Sequence, residues 1–204
     1  MPVGTLYIIA APSGAGKTSL VQQLVTTTPG IVASISHTTR PPRPGEQHGQ
    51  HYYFTPLADF EAMIAAGAFL EQAQVFGNRY GTSRAAVQTQ LQDGLDVILE
   101  IDWQGARQVR ALMPDSASIF ILPPSRAALR QRLAGRGQDS PAVIEQRMAA
   151  ALAELSHYAE FDYLVINDEF TVALENLRAI IIAQRQRQAE QRERQRELLQ
   201  ALLS

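Results

Sequence analysis

The sequence predicts an α/β fold built on a doubly wound parallel sheet, and three observations carry that expectation. The apolar run "LYIIA" at 6–10 feeds a small-residue turn, "APSGAGKT", as a buried strand feeds a phosphate-binding loop. The runs "DVILEI" at 96–101 and "SIFIL" at 118–122 are unbroken, as in strands covered on both faces. Segments of helical periodicity lie between them, and such alternation marks parallel strands joined by crossover helices.

In chain order, Thr5–Ala10 is the first strand and Lys17–Thr28 the helix after it, with its N-terminus aimed at the loop where an anion would sit. Pro29-Gly30 stops that helix, and Ile31–Ser36 reads as a second short strand. The next segment, "HTTRPPRPGEQHGQHYYF", is too long and too rich in Pro and Gly for a simple connection; it reads as functional or as part of a small inserted module. Tyr52–Thr55 is then a strand, Pro56–Ala66 an amphipathic helix, Ala68–Val75 a strand and Ser83–Asp93 a helix. Asp96–Ile101 resumes the sheet, followed by helix Gln104–Met113 and strand Ser118–Leu122. Helix Ser125–Ala134 is broken by Gly135-Arg136-Gly137. Ser140 as N-cap and Pro141 at the first helical position open a long helix running to Ala159. Tyr163–Asn167 is the last strand, and the chain is helical from Thr171. The tail, 185–204, is polar on nearly every face and reads as a solvated helical extension. The sharper alternative is a subunit contact, hence a homo-oligomer, through Leu198, Leu199, Leu202 and Leu203.

Composition narrows the class. At 204 residues, with 46% hydrophobic and 19% charged content, the chain is globular, and no apolar run approaches the length of a membrane span. The absence of cysteine excludes disulfides and thiolate metal sites and fits a reducing, cytoplasmic setting. A net charge of −2 offers no bulk attraction to nucleic acid, and Glu190, Glu193 and Glu197 interrupt the arginines of the tail. Of 18 basic residues all but Lys17 are arginine. The sole ammonium therefore stands on the phosphate-loop position, where a compact cation on a flexible stem follows a moving phosphate better than a planar fork does. The usual G-x-x-x-x-G-K-[ST] pattern has Ala11 in place of its first glycine. Gly14 and Gly16, where backbone meets phosphate, are kept.

Three further constellations bear on chemistry. Arg40 and Arg43, with Tyr52 and Tyr53 after them, suit a second phosphate; a basic surface loop is the bland alternative. Glu71 sits in an otherwise apolar strand, nine residues before Tyr80-Gly81-Thr82. A carboxylate there matches the N1–H and amino donors of guanine and mismatches adenine, unless it is a surface glutamate at a strand edge. Arg132, Arg136 and Arg147 spread over a helix, a Gly-flanked turn and the next helix, as arginines of a closing lid or of an ordinary helix surface. His37, His48, His51 and His157 are not spaced as metal ligands.

Together "APSGAGKTS", "SHTTRPPRPGEQHGQHYYF", "FLEQAQVFGNRYGTS", "ILEIDWQGARQV", "RLAGRGQDS" and "DYLVINDEF" closely resemble the guanylate kinases, especially the bacterial ones, from about Thr5 to at least Ala183. The resemblance implies a P-loop nucleoside monophosphate kinase fold. Its core would be 1–33, 97–124 and 157–184, with a GMP-binding insertion at 34–96, a lid at 125–156 and a C-terminal extension at 185–204. It implies ATP-dependent phosphorylation of GMP to GDP in purine recycling, with Mg²⁺. It assigns Ala11, Pro12, Ser13, Gly14, Ala15, Gly16, Lys17 and Thr18 to the ATP phosphates, Thr18 also to the metal, and Asn167 to the neighbourhood of adenine. Ser36, Glu71, Thr82 and Asp102 would contact guanine. Arg40, Arg43, Tyr52 and Tyr80 would hold the GMP phosphate, and Lys17, Arg132, Arg136 and Arg147 would serve transfer. Two rivals stay open: a related kinase of another phosphorylated acceptor, and a non-catalytic module of the same fold. A GTP-hydrolysing switch is excluded, because its N-K-x-D element needs a second lysine.

Overall fold

The computed structural model describes residues 3–75, 77–135 and 141–204. From the N-terminus, β1 (Leu6–Ala10), α1 (Lys17–Thr27) and β2 (Ile31–Ala33) are followed by β3 (His37–Thr38), β4 (Tyr53–Phe54) and α2 (Leu57–Ala65). Next come β5 (Phe69–Val75), β6 (Asn78–Ser83), α3 (Arg84–Gln92), β7 (Asp96–Glu100), α4 (Trp103–Leu112) and β8 (Ala117–Leu122). The chain closes with α5 (Arg126–Ala134), α6 (Pro141–Leu155), a 3₁₀ turn at Tyr158–Glu160, β9 (Tyr163–Ile166), α7 (Phe170–Arg185), α8 (Gln188–Arg194) and α9 (Arg196–Leu203).

Strands β2-β7-β1-β8-β9, in that order, form one parallel sheet, with Ile8 opposite Leu99 and Ile9 opposite Ile119. Strand geometry sends alternate side chains of β1 to opposite faces. Tyr7 and Ile9 pack with Leu20 and Leu24 of α1 and Leu177 and Ile181 of α7. Leu6 and Ile8 pack with Val87 and Leu91 of α3 and Val109 of α4. Both faces are thus covered, which is why β1 reads as a continuous apolar run. The sheet is doubly wound, as expected.

A second, mixed sheet in the order β4-β3-β6-β5 rises beside the first. Neither β3 nor β6 was legible as a strand. β3 has only two residues, and "NRYGTS" in β6 is polar with a central glycine; its strand form comes from antiparallel pairing with β5. Gly81 lies so close to Phe69 that a Cβ would stand 2.8 Å from its ring. Helix α3 falls within 34–96, yet it packs on the first sheet.

Two expectations need correction. The helix expected to reach Ala159 ends at Leu155, and the chain tightens into the 3₁₀ turn. Ser140, expected as its N-cap, lies outside the described residues. The tail is not wholly solvated. It breaks into α8 and α9, and Arg185 Nε donates to Asp96 Oδ2 at 2.7 Å while Arg194 stands 3.8 Å from Oδ1. Asp96, 1% exposed, also accepts the Thr5 N–H at 2.8 Å, so one buried carboxylate ties tail, first strand and β7 together. The four leucines of α9 remain exposed.

Candidate active site

A cavity of about 380 Å³ opens at the carboxyl ends of β1 and β7, where open α/β sheets place their ligands. It shares Lys17, Thr18, Ser36, Tyr52, Tyr80 and Glu100 with an adjoining basin of about 750 Å³. The two form one cleft.

The floor is the loop 11–18. Gly14 and Gly16 adopt φ of 90° and 91°, conformations open to glycine, and turn the chain so that α1 starts at Lys17. Gly16 also meets Asn167, whose Nδ2 would stand 2.5 Å from an added Cβ. Helices α3, α4 and α5 are capped by Ser83, Asp102 and Ser125, each accepting a backbone N–H of its own first turn. α1 has no side-chain cap, which leaves its leading amides to an anion. Lys17 Nζ donates to the Ile101 carbonyl at 3.2 Å. Burial lowers its pKa, and Glu100, Asp102, Glu154 and Glu71 pull it back up.

Beneath the loop, Asn167 Nδ2 donates to the Ala15 carbonyl at 2.7 Å and Arg132 Nη2 to the Asn167 carbonyl at 2.9 Å. Arg132 and Asn167 are therefore braces of the phosphate loop in this structure. From α5, Leu129 and Leu133 close over Gly14. Arg147 is partly buried on α6 and does not line either cavity. Arg136 lies outside the described residues.

On the opposite wall Glu71 is 4% exposed, and its Oε1 accepts from Thr82 Oγ1 at 2.5 Å. Its Oε2 approaches the backbone of α4, where a Cβ on residue 105 would come within 2.7 Å; glycine there admits the carboxylate. Burial pushes the Glu71 carboxyl up to about 7, tempered by the Thr82 hydrogen bond. Asp102 accepts the Gly105 N–H at 2.8 Å and faces the same cavity, as does Ser36. Of the four residues expected at guanine, Ser36, Glu71 and Asp102 line this cavity, and Thr82 lies buried behind Glu71, bonded to its carboxylate.

In the larger basin Arg40 and Arg43 face Tyr52 and Tyr80. The guanidinium of Arg40 stands 5.4 Å from the centroid of Tyr52. Glu46 holds it by a two-pronged bond, Nη2 to Oε1 at 2.8 Å and to Oε2 at 2.9 Å, and also accepts the Arg43 N–H at 2.7 Å. This pairing lowers the Glu46 pKa and raises that of Arg40.

Sequence reasoning overlooked three features. Glu46 closes the Pro-Gly turn it follows, and that turn was its only sequence signal. Glu154 Oε2 accepts the Ser13 N–H of the phosphate loop at 3.0 Å, and burial raises its carboxyl. Trp103 stacks on His157, centroids 3.7 Å apart, beside the Arg107–Glu160 pair that draws the Glu160 carboxyl down to about 2. Neither of the last two has a local pattern. Among the described residues there is no group of three or more histidine or acidic side chains placed to hold a metal by themselves, and no helix long and apolar enough to cross a membrane.

The guanylate kinase family model matches residues 3–184. A guanylate kinase of Escherichia coli (strain K12) is 57% identical over 206 aligned positions covering all of both chains. One from Alkalilimnicola ehrlichii is 59% identical over 200, covering 98% of each. The crystal structure of guanylate kinase from Anaplasma phagocytophilum superposes with a TM-score of 0.78 at 31% identity, covering 93% of this chain and 90% of that one.

Proposed function

The chain belongs to the guanylate kinase family, and from that premise we propose how its cleft turns ATP and GMP into ADP and GDP. The observation that carries the reading is the shared cavity of Glu71 and Lys17. A carboxylate suited to guanine and an ammonium suited to a polyphosphate open on the same space.

Amides of residues 13–18 and Lys17 hold the ATP phosphates, and the Arg40–Arg43–Tyr52–Tyr80 basin holds the phosphate of GMP. Glu71, braced by Thr82, accepts from N1–H and the 2-amino group of guanine; Ser36 and Asp102 complete the base site. An oxygen of the GMP phosphate attacks the γ-phosphorus of ATP, and the bond from that phosphorus to the β,γ-bridging oxygen breaks. ADP leaves with the electron pair. The attacking oxygen is already anionic near neutral pH, so alignment and charge neutralisation carry the catalysis without a strong base.

The exposed Thr18 hydroxyl and the Glu100 and Asp102 carboxylates are hard oxygen donors at one cavity and fit Mg²⁺, which keeps several waters and leans on substrate phosphates. Bound there, the ion would neutralise charge on the phosphates. Arg132 and Arg147, with Arg136 between them, supply further positive charge as segment 125–156 closes over the cleft. Segment 34–96 acts as the acceptor module, although α3 is anchored on the core sheet. The lack of cysteine supports a cytoplasmic setting.

A coupled assay for ADP release across GMP, AMP, dTMP and a sugar phosphate tests the reading. GMP is expected to be the preferred acceptor by orders of magnitude. Preference for another acceptor would reassign the base site, and no transfer to any would leave a binding module.

A further inference from the structure

We propose that Glu154 sets the affinity of the donor site: in the empty protein its carboxylate stands in for phosphate on the loop, and the incoming polyphosphate has to expel it. The inference rests on the assignment of ATP to this loop. The Ser13 N–H is a backbone donor of the phosphate loop, three residues before the Gly16 that opens α1, and Glu154 Oε2 takes it at 3.0 Å from 141 residues away in the chain. The same carboxylate lines the cavity with Lys17, Glu100 and Asp102. A carboxylate on a backbone amide makes the charge-assisted bond that a phosphate oxygen would make there. Both cannot occupy it, and their like charges repel at contact distance.

Placement makes the contact more than a surface accident. Glu154 lies in the last turn of α6, whose Met148 and Ala151 pack on Leu129 and Leu133 of α5, the residues that close over Gly14. Three residues on, His157 stacks on Trp103, fixing the end of this helical pair to α4. The carboxylate is therefore held toward the loop from both sides, and its departure either swings one side chain or shifts the pair.

The consequence is discrimination by charge. The more negative the group arriving at Ser13, the more the displaced carboxylate opposes it, so removing that charge should favour ligands in the order ATP, then ADP, then adenosine. Calorimetric titration of the full chain, with Mg²⁺, compares wild type with Glu154→Gln and Glu154→Ala. The ligands are the non-hydrolysable β,γ-imido analogue of ATP, ADP, adenosine and GMP. Glu154→Gln is expected to tighten the ATP analogue about tenfold, ADP by less, and adenosine and GMP by no more than about twofold. Glu154→Ala, which also removes the acceptor, should tighten the analogue at least as much, and both variants should lower KM for ATP more than they change kcat. Thermal unfolding establishes that each is folded.

Three results would overturn the proposal. These are analogue binding as weak as wild type or weaker in both folded variants, equal tightening of adenosine, and a loss of affinity confined to Mg²⁺-containing buffer, which would make Glu154 a partner of the metal. If the analogue binds to no form of the chain, the donor-site assignment itself fails. Binding that ignores residue 154 defeats only the proposal.

Discussion

The phosphate loop presents backbone amides, those of residues 13–18, whereas the basin across the cleft presents side chains, Arg40, Arg43, Tyr52 and Tyr80, brought from a long loop and from β6. Each carries a carboxylate of its own, Glu154 on the Ser13 amide and Glu46 on the Arg40 fork. The parallel ends there. Glu46 also takes the Arg43 amide and closes its own turn, so it orders the arginines, whereas Glu154 comes from a distant helix and occupies the loop without building it. Donor geometry is thus backbone-made and hard to alter by substitution. Acceptor geometry is side-chain-made and can be dismantled one residue at a time.

The largest expected effect lies on the donor side, at its one indispensable side chain. Lys17→Met should cut turnover by about a thousandfold or more while leaving the melting temperature near that of wild type, since among the described residues the ammonium makes one hydrogen bond, to the Ile101 carbonyl. Near-normal turnover in the coupled assay would remove Lys17 from catalysis.

On the acceptor side, Arg40→Ala should lower kcat/KM for GMP by about a hundredfold and leave KM for ATP within about twofold. Equal loss for both nucleotides would mean the two sites are not separable. Arg40→Lys should recover little, because a single ammonium cannot reproduce Nη2 on the Glu46 carboxylate together with Nη1 on the Pro41 carbonyl.

A smaller, pH-dependent effect belongs to Glu71. Guanine needs its ionised form, and burial holds its pKa at about 7 in the empty protein. Below that pH, kcat/KM for GMP should fall by roughly tenfold per unit. Glu71→Gln should abolish this inflection, keep the one due to the GMP phosphate itself, and erode preference for GMP over AMP. Stability follows with opposite sense. The folded pKa lies above the ordinary 4.5, so the folded chain binds a proton that the unfolded chain releases, and stability declines as pH rises from about 4.5 to 7. Glu71→Gln should retain at pH 8 about 3 kcal/mol that the wild type loses. Denaturant titrations at pH 5 and 8 that show no difference between the two proteins would contradict the buried, protonated carboxyl.

What was legible in the sequence tracks how local each feature is. β1, the phosphate loop and α1 form one contiguous stretch, with apolar run, positive-φ glycines and lysine in fixed order, and all stand where expected. The central strands β7, β1 and β8 were readable because burial on both faces makes each a nearly continuous apolar run. β3 and β6 were not, because "HT" and "NRYGTS" become strands only by pairing with each other and with β4 and β5. Glu71 stood out as a carboxylate in an apolar strand. Glu46 and Glu154 did not, since nothing near Glu154 in sequence announces a partner at Ser13.

The most direct test of the whole account is a single ligand that spans the cleft, adenosine joined to guanosine through five phosphates. If the two anion sites face each other across one space, it binds once per chain, competes with ATP and with GMP, and holds far more tightly than either. Competition with only one of the two nucleotides, or affinity no better than that nucleotide alone, would contradict direct transfer between them.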